Sequence, residues 1–309
     1  MLSSKKSVAG LSIASNATLV ILKLTAGLTI GSVSVISEAI HSSIDLLAAI
    51  MAFFAVRASA KPPDDEHRFG HGKAENLSGA VEALLIFIAA LMIIYEAVQK
   101  LMYGVELESV DFGIVIMGIS AVANTFVSRQ LMRVAKATES MALEADAWHL
   151  TTDVLTSLGV TIGLVVVRLT GWSVLDPIIA IGVALFIFRA AFDITRRSVR
   201  DLLDASLPDE EQALIREVLD KHKGDMVGYH EVRSRRSGSE RHVDLHLVMN
   251  RNVTVQQSHD LCDHLEGDLK DALGAVTLNI HVEPGTPSRE MYDSECEKDG
   301  IVPGGEKAS

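Results

Sequence analysis

The sequence predicts an all-α membrane bundle of six helices followed by a small α+β domain outside the bilayer. Three observations lead to this fold class. Six apolar segments are long enough to cross a hydrocarbon core, for which roughly 20 helical residues suffice. The residues after them switch to the amphipathic and alternating patterns of soluble structure. The chain is also 48% hydrophobic while carrying a formal net charge of −12. That combination fits apolar spans joined to an acidic soluble part better than it fits one globular domain.

Taken in order, the apolar segments fall at about 8–30, 33–57, 75–102, 110–134, 142–168 and 174–196. Polar groups at bilayer depth are costly and turn toward a bundle interior. The first, second, third and fifth segments carry Asn16, Lys23, Asp45, Glu82, His149 and Asp153 and are expected inside. The fourth and sixth are expected nearer lipid, although Asn124 and Arg189 blur the contrast. Lys5 and Lys6 precede the first segment without the short apolar core and small-residue cleavage site of a signal peptide, so that segment is expected to stay in the protein. Positive residues cluster at the amino end (Lys5, Lys6), after the second segment (Arg57, Lys61, Arg68, Lys73), after the fourth (Arg129, Arg133, Lys136) and after the sixth (Arg196, Arg197, Arg200). The opposite loops carry little beyond Lys100 and Arg168. This bias predicts cytoplasmic termini.

The composition changes after the sixth segment. Pro208 followed by Asp209, Glu210 and Glu211 reads as a linker and helix start, with acids favouring the amino end. A helix is expected over about 209–222, then a strand from Tyr229, a turn at Ser237-Gly-Ser and a second strand. In the latter, Val243, Leu245, Leu247 and Met249 share one face. A helix over about 254–273 and a strand over 275–283 complete an αββαβ unit, its helices covering one face of the sheet. The expected division is 1–203 for the membrane part, 204–285 for the soluble domain and 286–309 for a polar disordered tail. A soluble domain this small gains from association.

The acidic balance and the lack of a large basic patch argue against a nucleic-acid partner. Cys262 and Cys296 have no CxxC spacing and support neither a disulfide framework nor a thiolate zinc site. No P-loop, HExxH or GxSxG motif suggests covalent chemistry, so no enzymatic activity is expected.

The informative motifs are His41-Ser-Ser-Ile-Asp45 and His149-Leu-Thr-Thr-Asp153, each inside an apolar segment. A four-residue spacing puts imidazole and carboxylate on one helix face, one turn apart. Two such helices facing each other offer two nitrogens and two oxygens to one point, the ligand set of a tetrahedral Zn²⁺ site. One motif alone is as readily a polar helix face packed on a neighbour. The matched pair is harder to explain that way.

With these motifs, six segments and the αββαβ domain, residues 8–285 resemble the cation diffusion facilitator family. Asp64-Asp-Glu-His67-Arg-Phe-Gly-His71-Gly-Lys73-Ala-Glu and Asp204-Ala-Ser-Leu-Pro208 match further. The resemblance implies a homodimer that moves divalent transition metals out of the cytoplasm in exchange for protons, with a copper-chaperone-like cytoplasmic domain. It implies a transport site on His41, Asp45, His149 and Asp153, and a loop site on Asp64, His67 and His71. It also implies a cytoplasmic site on His230, His246, His259, His281 and Glu283, binding metal near a dimer interface. On residues alone, the loop reads as ordinary cytosolic chain with solvated histidines. His242 and His264 match no motif position. Lys73 and Asp204 match a charge pair that joins protomers in family members.

Many bacterial relatives have Asp in place of His41, and the His/Asp set resembles the zinc-selective branch rather than all-carboxylate manganese versions. Imidazole suits Zn²⁺, Fe²⁺ or Co²⁺ better than Mn²⁺, Mg²⁺ or Ca²⁺. The expected function is a Zn²⁺/H⁺ antiporter of the cell (inner) membrane, with lipid, divalent metal ions and protons as its partners. Zn²⁺ would be both its transported ion and its regulatory ligand. Broader Fe²⁺, Co²⁺ or Cd²⁺ selectivity, or a sensing scaffold that binds metal without moving it, are the alternatives.

Overall fold

The computed structural model describes residues 2–30, 33–103, 111–172 and 174–285. The chain divides into two compact units, Met1–Leu202 and Leu203–Ser309. The expected tail, 286–309, lies outside the described residues, as does Cys296.

The first unit consists of six long helices: α1 (Leu2–Ile30), α2 (Val33–Ser59), α3 (Lys73–Tyr103), α4 (Asp111–Thr138), α5 (Met141–Thr170) and α6 (Leu175–Leu202). Several continue past the expected segment ends, α4 to Thr138 and α6 to Leu202. The apolar pattern marks the thickness of the hydrocarbon, whereas the backbone ladder runs on through Arg133, Lys136, Arg196, Arg197 and Arg200 into the polar region.

Small residues fill the interior of this unit. On α2, Ala39, Ala48, Ala49 and Ala52 are buried, while Ile40, Ile44, Leu47 and Phe54 are exposed. A water-soluble helix would show the reverse. Small residues inward let backbones approach, and large apolar ones outward suit lipid. At Gly79 of α3, an added Cβ would lie 2.8 Å from Met141 Cγ and 3.2 Å from Ser198 Oγ, so α3 sits directly on α6 and the start of α5. Ile86 and Ala90 of α3 meet Ile187 and Ala191 of α6 in one buried cluster.

Among the described residues, α1, α2, α3 and α6 are long and apolar enough to cross a membrane. Of the four apolar helices α2 is the most buried and α6 the least, as expected from their polar content. The polar α1 is nearly as exposed as α6, so the expected inside–outside contrast is weaker there.

The polar groups inside this unit are tied to one another. Glu75, almost completely buried on α3, accepts from Lys5 Nζ of α1 at 3.0 Å and from Ser59 Oγ of α2 at 2.8 Å. It also accepts a short hydrogen bond from Ser140 Oγ in the α4–α5 turn. One carboxylate thus joins four parts of the bundle at the end that carries the residue 60–72 loop.

The second unit contains α7 (Asp209–Lys221), β1 (Gly228–Ser237), β2 (Glu240–Met249), α8 (Val255–Leu273) and β3 (Val276–Pro284). The sheet order is β1-β2-β3, with β1 antiparallel and β3 parallel to β2. A parallel partner requires a crossover, and α8 supplies it. Its start is fixed by a capping box: Gln257 N donates to Thr254 Oγ at 3.3 Å, and Thr254 N donates to Gln257 Oε1 at 3.0 Å. Val243, Leu245, Leu247 and Met249 pack with Ile215 and Leu219 of α7 and Leu265 and Leu269 of α8. This fixes the β2 register and leaves the other face of the strand for polar side chains.

Removing one member of a buried ion pair strands the other charge, at a cost of about 3–5 kcal/mol. Glu75→Ala is therefore expected to lower the midpoint of thermal unfolding in detergent markedly. A melt indistinguishable from the native chain would show that the Lys5–Glu75 contact contributes little.

Candidate metal centres

The two His-x-x-x-Asp motifs meet between α2 and α5. His149 Nε2 lies 3.0 Å from Asp45 Oδ1, with both side chains buried. His41 Nε2 lies 4.0 Å from Asp153 Oδ1. Each contact joins the imidazole of one motif to the carboxylate of the other, so the four-residue spacing on each helix becomes two cross-helix pairs. His41, Asp45 and Asp153 each offer a ligand atom within 4.8 Å of the others, and His149 adjoins this group through Asp45. The His41 side chain is 56% exposed against 10% for His149, so the centre is closed on one flank and open on the other.

Asn124 of α4 also reaches the centre, with Nδ2 3.5 Å from Asp153 Oδ2. Its signal in the sequence was a lone amide in an apolar segment. Glu82 of α3 and Asp146 of α5 are buried nearby, and both feel the charge of His149. Glu82 Oε2 and both Asp146 oxygens have no well-formed hydrogen bond among the described residues, although the Ser12 hydroxyl lies beside Asp146.

The loop between α2 and α3 gathers Asp64, His67 and His71. Asp64 Oδ1 accepts from the backbone N–H groups of His67, at 2.7 Å, and Glu66, at 3.2 Å. This turns the chain back on itself, and Gly70 at φ 79° completes the bend. His67 Nδ1 and His71 Nε2 then lie 3.5 Å and 3.3 Å from the same carboxylate. The His67 N–H, helped by the charges of both imidazoles, holds Asp64 below the usual carboxylate range. His71 Nδ1 is buried without a hydrogen-bond partner among the described residues.

The third cluster sits on the sheet face opposite the apolar strip. His230, His246 and His281 occupy aligned positions on β1, β2 and β3. Glu283, two residues after His281, accepts from His230 Nε2 at 3.2 Å and His246 Nδ1 at 3.0 Å. His281 Nε2 lies 3.6 Å from Glu283 Oε1. A bulge between His230 and Arg233, with Glu231 at φ 50°, brings Glu231 Oε2 within 3.8 Å of His246 Nε2. Bulges re-aim side chains in this way, and sequence alternation alone does not reveal one. Partial burial pushes the Glu283 carboxyl up, but the hydrogen bonds and charges of His230 and His246 outweigh it and hold it below its ordinary value.

Not every candidate joins a cluster. His259 lies on α8, 3.7 Å from Asp263, and is not drawn into the His230–His246–Glu283 group within the chain. His242 is buried, and desolvation together with the charge of Arg235 holds it below the usual imidazole range. Asp204 pairs with Arg235 at 3.3 Å inside the second unit, and Lys73 donates to the Leu202 carbonyl at 3.3 Å inside the first. Cys262 is a half-buried free thiol.

Comparison with known proteins bears on this arrangement. Residues 10–203 match the cation efflux transmembrane domain, and residues 207–285 match the cytoplasmic domain of cation efflux proteins. The chain belongs to the cation efflux family. The uncharacterized transporter sll1263 of Synechocystis sp. is 36% identical over 85% of this chain and 85% of its own. The cation-efflux pump FieF of Klebsiella pneumoniae is 30% identical over 87% of this chain and 89% of its own. A solved structure of CzrB in its Zn form is 34% identical over 27% of this chain and 96% of its own, with a TM-score of 0.26. Cation efflux proteins are transporters, not enzymes.

Two or three imidazoles with a carboxylate suit zinc in all three clusters. For the sheet cluster, Glu283→Ala is expected to weaken Zn²⁺ binding by residues 206–286 about tenfold or more, the scale already reached by outer-shell partners. Equal affinities for native and substituted domains in titration calorimetry would show that Glu283 holds no ion.

Proposed function

We propose that the chain exports Zn²⁺ from the cytoplasm in exchange for protons. In this reading it is a homodimer in the cell (inner) membrane, with all six helices crossing and both termini cytoplasmic. The supporting observation is the pair of cross-helix contacts, Asp45–His149 and His41–Asp153, inside a bundle with small residues within and large apolar residues without. A metal ion entering there meets two imidazoles and two carboxylates. Zn²⁺ takes this set readily because it has no d-electron preference in geometry.

Proton coupling follows from the ligands. Metal binding needs neutral imidazoles, so entry of the ion displaces protons and protonation releases it. An imidazole, with a reference pKa of about 6.5, makes that exchange within the physiological range. Two helices, each carrying half of the site, also give alternating access a simple form, because a small shift of α2 against α5 opens or closes the set. The sheet cluster and the loop cluster serve as regulatory zinc sites in this reading, with the soluble domain drawing two protomers together when zinc is abundant. The open flank at His41 favours a second reading of selectivity, in which Cd²⁺, Fe²⁺ or Co²⁺ is also carried.

Asp153→Ala is expected to abolish Zn²⁺ flux in proteoliposomes with an imposed pH gradient, while zinc binding by the soluble domain persists. Near-native flux would refute the site. His41→Asp offers carboxylate oxygens that bind larger ions bidentately, so Cd²⁺ flux is expected to rise relative to Zn²⁺ and the pH profile near neutrality to flatten. An unchanged Cd²⁺/Zn²⁺ ratio with an unchanged profile would show that His41 sets neither.

A further inference from the structure

Lys23 is a cation in the interior of α1, with its side chain 7% exposed. Its Nζ lies 3.1 Å from Glu38 Oε2 and donates to Ser42 Oγ at 2.8 Å, both on α2. Glu38, Ser42 and Asp45 are spaced four and three residues apart and so share one helix face. The ammonium therefore sits about one turn from Asp45, on the side toward the α1–α2 connection. Lys23 is not a ligand, since an ammonium cannot coordinate a cation. The Glu38 side chain is 40% exposed.

We propose that Lys23 is a tethered counter-cation of the transport site, held between Glu38 and the site carboxylates, and that it positions the site for release by weakening its hold on the divalent ion. The proposal rests on the transport reading above. When the site is empty, the buried Asp45 and the half-buried Asp153 carboxylates lie close together, and a nearby fixed positive charge lowers the cost of that state. When the divalent ion is bound, the same charge opposes it, with Glu38 as the alternative partner for the ammonium. A carrier has to let go as well as bind. The Lys23–Glu38 pair supplies that balance without occupying the site, and the Ser42 hydroxyl keeps Nζ at the junction.

The test compares two single variants and their double, by Zn²⁺ flux in proteoliposomes across a range of zinc concentrations. Lys23→Met removes the opposing charge, so KM is expected to fall on the order of tenfold, the scale for unit charges one to two turns apart at an effective dielectric near 20. Its kcat should fall as release slows. Glu38→Gln leaves the ammonium only the site carboxylates as charged partners, so KM should rise by a similar factor. The double variant should return KM toward the native value, and Lys23→Arg, which keeps the charge, should retain it.

A salt bridge that only holds α1 on α2 predicts otherwise. Both single variants would then lose stability and kcat together, with KM unchanged or moved in the same direction, and that result overturns the proposal. If Lys23→Met fails to fold, the KM of Glu38→Gln and of Lys23→Gln decides the matter by the same opposite signs. Absence of zinc flux in the native chain would instead refute the transport reading, which separates the two failures.

Discussion

Ionisable groups are costly to leave unpaired inside an apolar bundle, and this constraint organises the membrane part of the chain. Lys5 and Glu75, Lys23 and Glu38, and Asp45 and His149 each join two different helices. The hydrophobic effect does little to select one helix neighbour over another in lipid, because lipid is as apolar as leucine. Polar contacts and close backbone packing select neighbours instead. The buried alanines and Gly79 provide the packing, and the paired charges fix which faces meet.

The soluble domain meets a different constraint with a different solution. In water, its core forms from the apolar strip of β2 against α7 and α8. Burying Val243, Leu245, Leu247 and Met249 forces His242, Asp244 and His246 onto the other face, since side chains alternate along a strand. The aligned His230, His246 and His281 are thus a by-product of register, and Glu283 completes the row. The same alternation turns Asp244 away from the core.

Most of the candidate metal ligands were legible because metal binding needs particular residue types at particular spacings. His41 with Asp45 and His149 with Asp153 stand out as one-turn pairs in apolar segments, and Asp64, His67 and His71 as a short run with glycines. The resemblance implied His259 as a ligand of the cytoplasmic site near a dimer interface, and within one chain the fold puts it on α8 beside Asp263. A helix and a sheet face are brought together or kept apart by packing, which residue order does not encode locally.

The sequence by itself determined the long helices of the membrane part, the αββαβ order, the core strip of β2 and the residue types able to bind metal. These follow from period and composition, which are local properties of the chain. The tertiary structure alone decided that each imidazole of the two His-x-x-x-Asp motifs meets the carboxylate of the other helix, and that Asn124 joins Asp153. It also decided that Lys23, noted at first only as a polar residue in a span, comes to rest between Glu38 and Ser42. Such contacts depend on the rotation and depth of one helix against another, and those are set by packing and charge pairing across many residues at once.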